Sequence, residues 1–577
     1  MKIVTARTAG FCMGVRRAVE QALDSANRRR GPIYTYGPLI HNPQVLSILE
    51  QKNISVLDRI PEKANGTVII RAHGVPPGDQ EALKQAGFHV INATCPRVIK
   101  VQSIIARHAD KGYAVIIVGD RDHPEVRGLL GYAGNMGHVA ESLDELKALP
   151  EFENAIIVAQ TTQNTSFFDR VCVWAAENRP GYKVFNTICD STEKRQAEAQ
   201  ALAAEVDTVI VVGGYNSGNT RRLVEIAGQS GKKSMHVEKA EDLPLEKLAK
   251  CRSIGITAGA STPNWTIRHV MQHLEKNLAG KEGRFRRWGC MVVRSIMLSN
   301  LYLAIGAACL ALTGAWLQGA PVKLHYLGIA GLYTLCMHTL HHMFDRAVDG
   351  YNDPGRAKFY QDYRYFLAVL ALISGVCGLA LAWMLGPFVF VLVLLMSFLG
   401  VVYNFELQGQ AAGIGKVSLL KRIPGSKTVL VTMAWGIAAA LVPAVDAYGS
   451  VGVSGIIAFV WICTLVFVRT SFFDIIDMQG SRIVGRETIP IILGEKRTMD
   501  LLKAVLIAAV LLLFFSAAAG IISPFSTVFS LVPAAMLLFL FIHERTSRFL
   551  GIWRGFLMES HFIFTGVLAL LFLYGGV

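Results

Sequence analysis

The apolar residues in the first half of the chain occur in short continuous runs, each followed by a turn and a helix-like stretch. Four such runs, with their turns, lie at 114–120, 155–160, 208–214 and 253–259. Runs rich in β-branched residues that alternate with helical patterns predict parallel strands buried on both faces. We therefore predict an α/β fold of several layers, with polar residues at the strand ends, where open α/β sheets bind ligands.

From residue 290 onward the apolar runs lengthen to about 20 residues, the length of a membrane-spanning helix. Nine spans are predicted, at 294–316, 322–341, 364–384, 387–405, 428–447, 452–471, 501–522, 524–542 and 557–577. Lys and Arg concentrate in the loops after the even-numbered spans, whereas the loops between, near 317–321, 385–386, 448–451 and 520–525, contain none. The positive-inside rule then predicts a multi-pass protein of the inner or cytoplasmic membrane with its amino-terminal half in the cytoplasm. No signal peptide is expected, because no long apolar segment follows the basic start.

Charge separates the two halves of the 577-residue chain. About 24% of residues 1–289 are charged but only about 11% of 290–577, against roughly 25% in soluble domains. This contrast excludes a purely soluble protein, a disordered chain and a disulfide scaffold. The net charge of +14 is shared by both halves, which favours a lipid bilayer and anionic substrates as partners, and no nucleic acid. The predicted parts are a soluble domain (1–280), a basic junction (281–293) and a membrane domain (294–577).

Three of the ten cysteines, Cys12, Cys95 and Cys189, adjoin apolar runs and precede helix-like stretches. They could meet in one central space as metal ligands, or they could be small buried hydrophobes, as most free cysteines are. Three thiolates would leave one iron of a cubane cluster open for chemistry. Cys172 and Cys251 lie within apolar or helical patterns, and we expect them to pack in the interior.

Three histidines, His41, His73 and His123, lie at turns beside Gly or Pro. A single loop histidine is usually only solvated, but hydroxyl and amide clusters follow later strands, at 160–163, 216–220 and 258–263. Together these groups predict a cradle of cationic and hydroxyl donors for a diphosphate. Glu125, two residues from His123, is placed to donate a proton.

Motifs along the first half resemble those of the LytB/IspH family, the 4-hydroxy-3-methylbut-2-enyl diphosphate reductases. In family order they read GFCMGVRRAV, RAHGVPP, ATCP, HPEVRG, QTT, ICDSTEKRQ, GGYNSGNTRRL and TAGAS. The resemblance covers residues 1 to about 280 and implies three α/β units around a 4Fe-4S cluster. It also implies reductive removal of an allylic hydroxyl, which yields isopentenyl and dimethylallyl diphosphates. Electrons would come from an external donor such as ferredoxin or flavodoxin, because no flavin or dinucleotide fingerprint is present.

The same resemblance implies roles for individual residues. Glu125 would supply protons, and Thr161 or Thr162 would position it and the substrate hydroxyl. The cluster ligands would be Cys12, Cys95 and Cys189. The diphosphate would be held by His41, His73, His123, Ser217, Gly218, Asn219 and Ser261. Two departures are visible, because Gly218 stands where many members have Ser, and ICDST replaces the commoner ICxAT.

Two predicted cytoplasmic loops of the second half are rich in carboxylates. Asp345 and Asp349 share one helix face, and Asp474 and Asp477 share another. Carboxylates beside spanning helices are costly and usually functional. These four could hold Mg²⁺ against a substrate diphosphate, or they could be solvated helix ends in a basic loop.

The nine spans, the D-x-x-x-D segment, the loop at 420–422 and the segment DIIDMQGSRIVGRETIP resemble the UbiA family of membrane prenyltransferases. The resemblance implies transfer of a polyprenyl group from its diphosphate, with Mg²⁺ at the four aspartates and with Lys421 and Arg482 facing phosphate. Two family positions differ, since His341 stands where Asn is usual and Ser481 where Asp is usual. The alternative is a non-catalytic membrane anchor or a binder of lipid diphosphates.

Overall fold

A computed structural model describes residues 2–28, 31–229, 231, 233–278, 284–411, 425–545 and 552–574. The chain forms two compact units, Met1–Lys281 and Glu282–Val577.

The first unit contains three four-stranded sheets, and the strands pair in parallel. The first sheet has the order β1 (Lys2–Thr5), β12 (Ser253–Ala258), β10 (Thr208–Val212), β11 (Lys233–Val237). The second has the order β3 (Ile54–Leu57), β2 (Ile33–Tyr36), β4 (Thr67–Ile70), β5 (His89–Asn92). The third has the order β7 (Gly137–Ala140), β6 (Ala114–Val118), β8 (Ala155–Ala159), β9 (Lys183–Phe185). Because β1 pairs with β12, the first sheet joins the two ends of the unit.

Helices follow the strands and cover the sheets. They are α1 (Met13–Arg28), α2 (Pro43–Gln51), α3 (Pro77–Gln85), α4 (Pro96–Ala109), α5 (Pro124–Ala133), α6 (Leu143–Ala148), α7 (Thr165–Asn178), α8 (Asp190–Glu205), α9 (Gly218–Gln229), α10 (Leu245–Leu248) and α11 (Asn264–Leu278). Every residue of β4, β6, β8 and β10 is buried, as expected for parallel strands covered on both faces. The predicted α/β fold is confirmed. Proline at the first position of α2, α3, α4 and α5 fixes where these helices begin.

The second unit is a helical bundle. Its helices are α12 (Arg284–Leu298), α13 (Leu301–Leu317), α14 (Leu324–Phe344), α15 (Arg346–Asn352), α16 (Pro354–Asp362), α17 (Arg364–Leu385), α18 (Pro387–Ala411), α19 (Ser426–Gly436), α20 (Val442–Tyr448), α21 (Val453–Ile476), α22 (Met478–Val484), α23 (Ile489–Leu493), α24 (Glu495–Ala518), α25 (Leu531–Arg545) and α26 (Ile552–Tyr574). A π-helical turn, Ile437–Leu441, joins α19 to α20. α12 begins inside the predicted basic junction, of which 281–283 lie outside the described residues. Trp461, Tyr326 and Phe562 are among the fully buried side chains of the bundle core.

The prediction of nine spans is wrong. Among the described residues, six helices are long and apolar enough to cross a membrane, or seven if one bent pair counts as a single span. That pair is the predicted span 294–316, which bends by 65° at Asn300, where φ is +62°. The predicted span 322–341 corresponds to α14, whose four histidines lower its mean hydropathy. The predicted span 387–405 has a shorter described apolar helix, Pro387–Tyr403.

Candidate functional site

Each sheet of the first unit presents one cysteine at the start of a helix. Cys12 directly precedes α1, and Cys95 and Cys189 are the N-cap residues of α4 and α8. The three amide N–H groups are anchored alike, each to a carbonyl just beyond an inner strand. The bonds are Cys12 to Ala260 (3.1 Å), Cys95 to Ala72 (2.9 Å) and Cys189 to Thr161 (2.9 Å). The open ends of three sheets thus converge, and helix N-termini there stabilise anionic sulfur.

The three cysteines line one cavity, whose empty space including its mouth measures about 780 Å³. The predicted histidines, hydroxyl and amide residues and acid line the same cavity. They are His41, His73, His123, Glu125, Thr161, Thr162, Ser217, Gly218, Asn219 and Ser261. Cys172 packs against the core of the third sheet, and the Cys251 sulfur lies 3.3 Å from the Thr208 hydroxyl. The structure therefore brings together all the residues that the sequence assigned to this site.

The electrostatics of the sulfurs fit a metal cluster. Burial raises the pKa of the Cys95 thiol, and the nearby Cys12 and Cys189 raise it further, while the amides of Arg97 and Val98 lower it. Three neighbouring thiolates repel one another unless iron compensates their charge, and thiolate is the ligand that iron–sulfur clusters use. The packing is also tight, because a Cβ on Gly14 would lie 2.4 Å from the Cys95 sulfur.

The three histidines form a compact group. Their ring centroids are 4.9 Å apart for His41 and His73, 5.3 Å for His73 and His123, and 5.9 Å for His41 and His123. Burial lowers the pKa of His123 to about 4, and it lowers the pKa of His41 and moves that of His73 well below the usual value. Burial therefore favours the neutral form of all three imidazoles.

Ring nitrogens of these histidines lie within 4.8 Å of one another, close enough to hold a metal ion. However, the Glu125 amide N–H donates to His123 Nδ1 at 3.1 Å. In the neutral ring the proton must then sit on Nε2, which makes that nitrogen a donor. Positive charge from Arg71 and Arg222 also reaches His123. This arrangement favours an anion over a metal.

Other polar side chains of the cavity have buried atoms that form no hydrogen bond within the described residues. The Asn219 amide nitrogen, His41 Nε2 and His73 Nδ1 are buried without a hydrogen-bond partner among the described residues. The Ser261 hydroxyl lies 3.4 Å from that of Ser217 and 3.3 Å from the His41 carbonyl. α9 begins beside Ser217, and the first amides of a helix are favourable donors for an anion. Buried polar atoms without partners are costly, and a diphosphate would accept hydrogen bonds from the Asn219 amide and from each imidazole nitrogen that carries a proton.

Glu125 is the buried acid of the cavity, with 2% of its surface exposed. The Thr161 amide donates to Oε1 at 2.6 Å and its hydroxyl to Oε2 at 2.9 Å. Burial raises the pKa of Glu125 to about 7; the two Thr161 bonds oppose this rise, and Asp120 adds to it. By contrast, the Thr162 hydroxyl accepts a bond from Gln160 at 3.1 Å. Thr161 is thus the threonine that contacts the acid.

In the second unit three of the predicted metal-binding aspartates, Asp345, Asp349 and Asp474, contact other side chains. Arg486 forms a bidentate ion pair with Asp345, and His341 Nε2 lies 3.4 Å from the same carboxylate. His342 Nδ1 contacts Asp349 at 2.8 Å.

Asp474 accepts a bond from the Thr428 hydroxyl at 2.8 Å. In the described part of this unit, no three carboxylate, imidazole or thiol groups have ligand atoms within 4.8 Å of one another. A metal ion at Asp345 would therefore have to displace Arg486.

The two carboxylate segments nevertheless meet. The Asn352 amide donates to the Asp477 carbonyl at 3.2 Å, and a Cβ on Gly480 would lie 2.2 Å from Asn352 Oδ1. These contacts join α15 to α22.

The cationic residues around the two segments were only partly predicted. Arg482 donates to the Ile491 carbonyl at 3.3 Å, and Lys421 lies outside the described residues. Sequence reasoning missed Arg486 and Lys427; the latter is close enough to Asp349 and Asp474 to interact electrostatically. The GRET run beside the second carboxylate segment was the available signal for Arg486.

Comparisons with known proteins agree with the two units. Residues 3–275 match the LytB protein family model, and residues 301–563 match the UbiA prenyltransferase family model. The 4-hydroxy-3-methylbut-2-enyl diphosphate reductase of Geobacter sulfurreducens is 42% identical over 283 residues, which cover 49% of this chain and 100% of that protein. The reductase of Nitratidesulfovibrio vulgaris is 45% identical over 280 residues, which cover 48% of this chain and 99% of that protein.

Two solved structures are similar to the separate halves. The reductase from Plasmodium falciparum is 26% identical, covers 48% of this chain and 88% of its own, and has a TM-score of 0.46. A UbiA homolog from Archaeoglobus fulgidus bound to DMAPP and Mg²⁺ is 17% identical, covers 48% of this chain and 96% of its own, and has a TM-score of 0.34. From the sequence matches, the chain belongs to the LytB family through its first unit and carries a UbiA prenyltransferase family domain in its second.

Proposed function

We propose that the first unit is a 4-hydroxy-3-methylbut-2-enyl diphosphate reductase. One observation carries the proposal: the cavity holds three convergent thiols, a group of buried nitrogen atoms without protein partners that suits a diphosphate, and one buried acid. These are the three parts that reductive removal of a hydroxyl from an allylic diphosphate requires. The curated relatives with this name, at 42% and 45% identity, support it.

The proposed reaction breaks the C–O bond of the allylic hydroxyl. The substrate takes up two electrons and two protons, and the products are isopentenyl or dimethylallyl diphosphate and one water. Cys12, Cys95 and Cys189 would hold a 4Fe-4S cluster, which would supply the two electrons. An external donor such as ferredoxin or flavodoxin would provide them.

The residues of the chain bind, orient and protonate. The histidines, with Ser217, Asn219 and Ser261, hold the diphosphate and so direct the hydroxyl end towards the cysteines. Glu125, with a pKa of about 7, is protonated in a large fraction of molecules at neutral pH and supplies protons. The two bonds from Thr161 fix the carboxyl in place.

Anaerobic purification of the full chain tests this proposal. We expect about four irons and four sulfides for each chain and conversion of the hydroxylated diphosphate to the two C5 products with a chemical reductant. An iron-loaded protein that leaves this substrate unchanged would refute the reductase assignment.

For the second unit, we infer Mg²⁺-dependent prenyl transfer at the membrane, with the first unit on the cytoplasmic side. The contact between the two carboxylate segments through Asn352 supports this inference. Asp345, Asp349, Asp474 and Asp477 offer the oxygen ligands that Mg²⁺ prefers. The test is an assay of the full chain in membranes with labelled prenyl diphosphate and a panel of acceptors. If no acceptor of a broad panel is prenylated, with or without Mg²⁺, the second unit is better explained as a non-catalytic membrane anchor.

A further inference from the structure

Arg195 is a buried cation close enough to two of the predicted cluster cysteines, Cys12 and Cys189, to interact with them electrostatically. It lies on α8, six residues after Cys189, and only 3% of its surface is exposed. Its guanidinium donates to the Gly10 carbonyl at 2.6 Å and to the Ala258 carbonyl at 3.1 Å. One side chain thus ties the helix that begins at Cys189 to the loop that leads into Cys12 and to the end of β12.

The loop that Arg195 holds has little freedom. Gly10 has a φ of +109°, and a Cβ there would lie 2.5 Å from Asn264 Oδ1. The Cys12 amide is in turn anchored to the Ala260 carbonyl, two residues beyond Ala258. Moving the guanidinium would therefore loosen both the loop that leads into Cys12 and the segment after β12 to which the Cys12 amide is bonded.

Arg195 forms no ion pair with a carboxylate among the described residues. Its two hydrogen-bond partners are neutral carbonyls, and its Nε has no hydrogen-bond partner among the described residues. The negative groups near enough to interact with it are Cys12, Cys189 and Glu198. The Glu198 carboxylate already accepts bonds from the amides of Arg7 and Thr8 at 2.6 and 2.8 Å. A buried cation without compensation is strongly destabilising. Anionic sulfur at Cys12 and Cys189 is therefore expected to compensate Arg195 together with the charge of Glu198.

We propose that Arg195 is a positioning residue that fixes Cys12 and Cys189 and raises the reduction potential of the iron–sulfur centre they hold. The proposal rests on the proposed function of the first unit, because it needs the cluster. A fixed positive charge in a low-dielectric interior stabilises the more negative, reduced state more than the oxidised state. Local charge and hydrogen bonding are recognised determinants of such potentials.

The experiment compares three variants of the full chain, purified anaerobically. Arg195→Gln removes the positive charge. Arg195→Lys keeps the charge but cannot form both hydrogen bonds, to the Gly10 and Ala258 carbonyls, in the same geometry. Lys194→Gln is the matched control, because it removes a positive charge from the neighbouring position of α8, where the side chain is exposed and screened by solvent. The readouts are iron and sulfide content, a redox titration followed by electron paramagnetic resonance, and the rate of iron loss to a chelator.

We expect a lower reduction potential in Arg195→Gln and values near that of the wild type in Arg195→Lys and Lys194→Gln. Both Arg195 variants should lose iron several-fold faster than the control. A fully loaded Arg195→Gln protein with the wild-type potential would overturn the charge role. If Arg195→Gln does not keep its cluster, the charge role is tested with Arg195→Lys. A cluster-loaded Arg195→Lys protein with a clearly lowered reduction potential would then overturn the charge role.

Wild-type iron retention in both Arg195 variants would overturn the positioning role. Failure of the reductase proposal is distinguishable, because the unsubstituted chain would then lack the cluster or leave the substrate unchanged.

Discussion

The ionisation of Glu125 should set the alkaline limit of reductase activity, and the Thr161 hydroxyl should control it. Burial raises the pKa of this acid to about 7, while the bonds from Thr161 favour the carboxylate and hold the value down. Thr161→Val removes the hydroxyl bond of 2.9 Å and keeps the amide bond of 2.6 Å. Valine also keeps the shape of the side chain, so the effect is electrostatic in origin.

The size of the shift follows from the bond that is lost. A hydrogen bond to a charged group contributes about 1.5–3 kcal/mol, and one pKa unit corresponds to about 1.4 kcal/mol. The pKa of Glu125 should therefore rise by about 1–2 units in Thr161→Val. Because the protonated acid is the active form, activity falls as the pH rises through this pKa. We expect the alkaline limb near pH 7 in the wild type and about 1–2 units higher in the variant.

The assay is kcat/KM for the hydroxylated diphosphate between pH 6 and 9.5 with a chemical reductant in excess. Thr162→Val is the control, since the Thr162 hydroxyl is bonded to Gln160 rather than to the acid. Its alkaline limb should coincide with that of the wild type. If the alkaline limb of Thr161→Val coincides with that of the wild type, or if both variants shift it equally, the Thr161 hydroxyl does not control the pKa of Glu125.

Four further predictions concern the acid, the diphosphate site, the second unit and the cluster ligands. Glu125→Gln should keep its iron and bind substrate but lose turnover by about 10²–10⁴-fold in the same assay. Binding of inorganic pyrophosphate should be accompanied by proton uptake, because an anion raises the lowered pKa of His123. Titration calorimetry in two buffers of different ionisation enthalpy measures the number of protons taken up. The same heat of binding in both buffers would contradict this prediction. In the membrane assay Asp345→Asn and Asp477→Asn should each abolish Mg²⁺-dependent transfer and leave the reductase intact, whereas full transfer by Asp345→Asn would exclude the metal site. Iron and sulfide analysis should show cluster loss in Cys12→Ala, Cys95→Ala and Cys189→Ala but not in Cys172→Ala or Cys251→Ala.

The α/β fold and the cavity residues of the first unit could be predicted because their signals are local. Strands such as β6 and β10 are continuous apolar runs, and the functional residues follow strands directly. The pairing of β1 with β12 could not be predicted, because it joins segments about 250 residues apart. The same holds for the choice between Thr161 and Thr162, which depends on contact with an acid 36 positions earlier.

The second unit was harder to predict, because its features depend on tertiary contacts and local geometry. A window of apolar residues does not reveal the bend at Asn300, which a single left-handed residue produces. The pattern of aspartates predicts a metal site, yet Arg486, 141 positions after Asp345, forms an ion pair with one of them. Side chains brought together over such distances leave no periodic signal in the sequence.

Exclusion of water shifts the pKa values of both the histidines and the glutamic acid in the cavity of the first unit. Burial lowers the pKa of His123 to about 4 and raises that of Glu125 to about 7, so near pH 7 the imidazole is neutral and the acid is protonated in a large fraction of molecules. A bound diphosphate adds negative charge, which raises both pKa values. The histidine then gains a proton and becomes a better partner for the anion, while the glutamic acid holds its proton more firmly. In the proposed reaction the substrate would therefore maintain the protonated form of Glu125 that donates the proton. The alkaline limb of kcat should then lie at higher pH than that of kcat/KM.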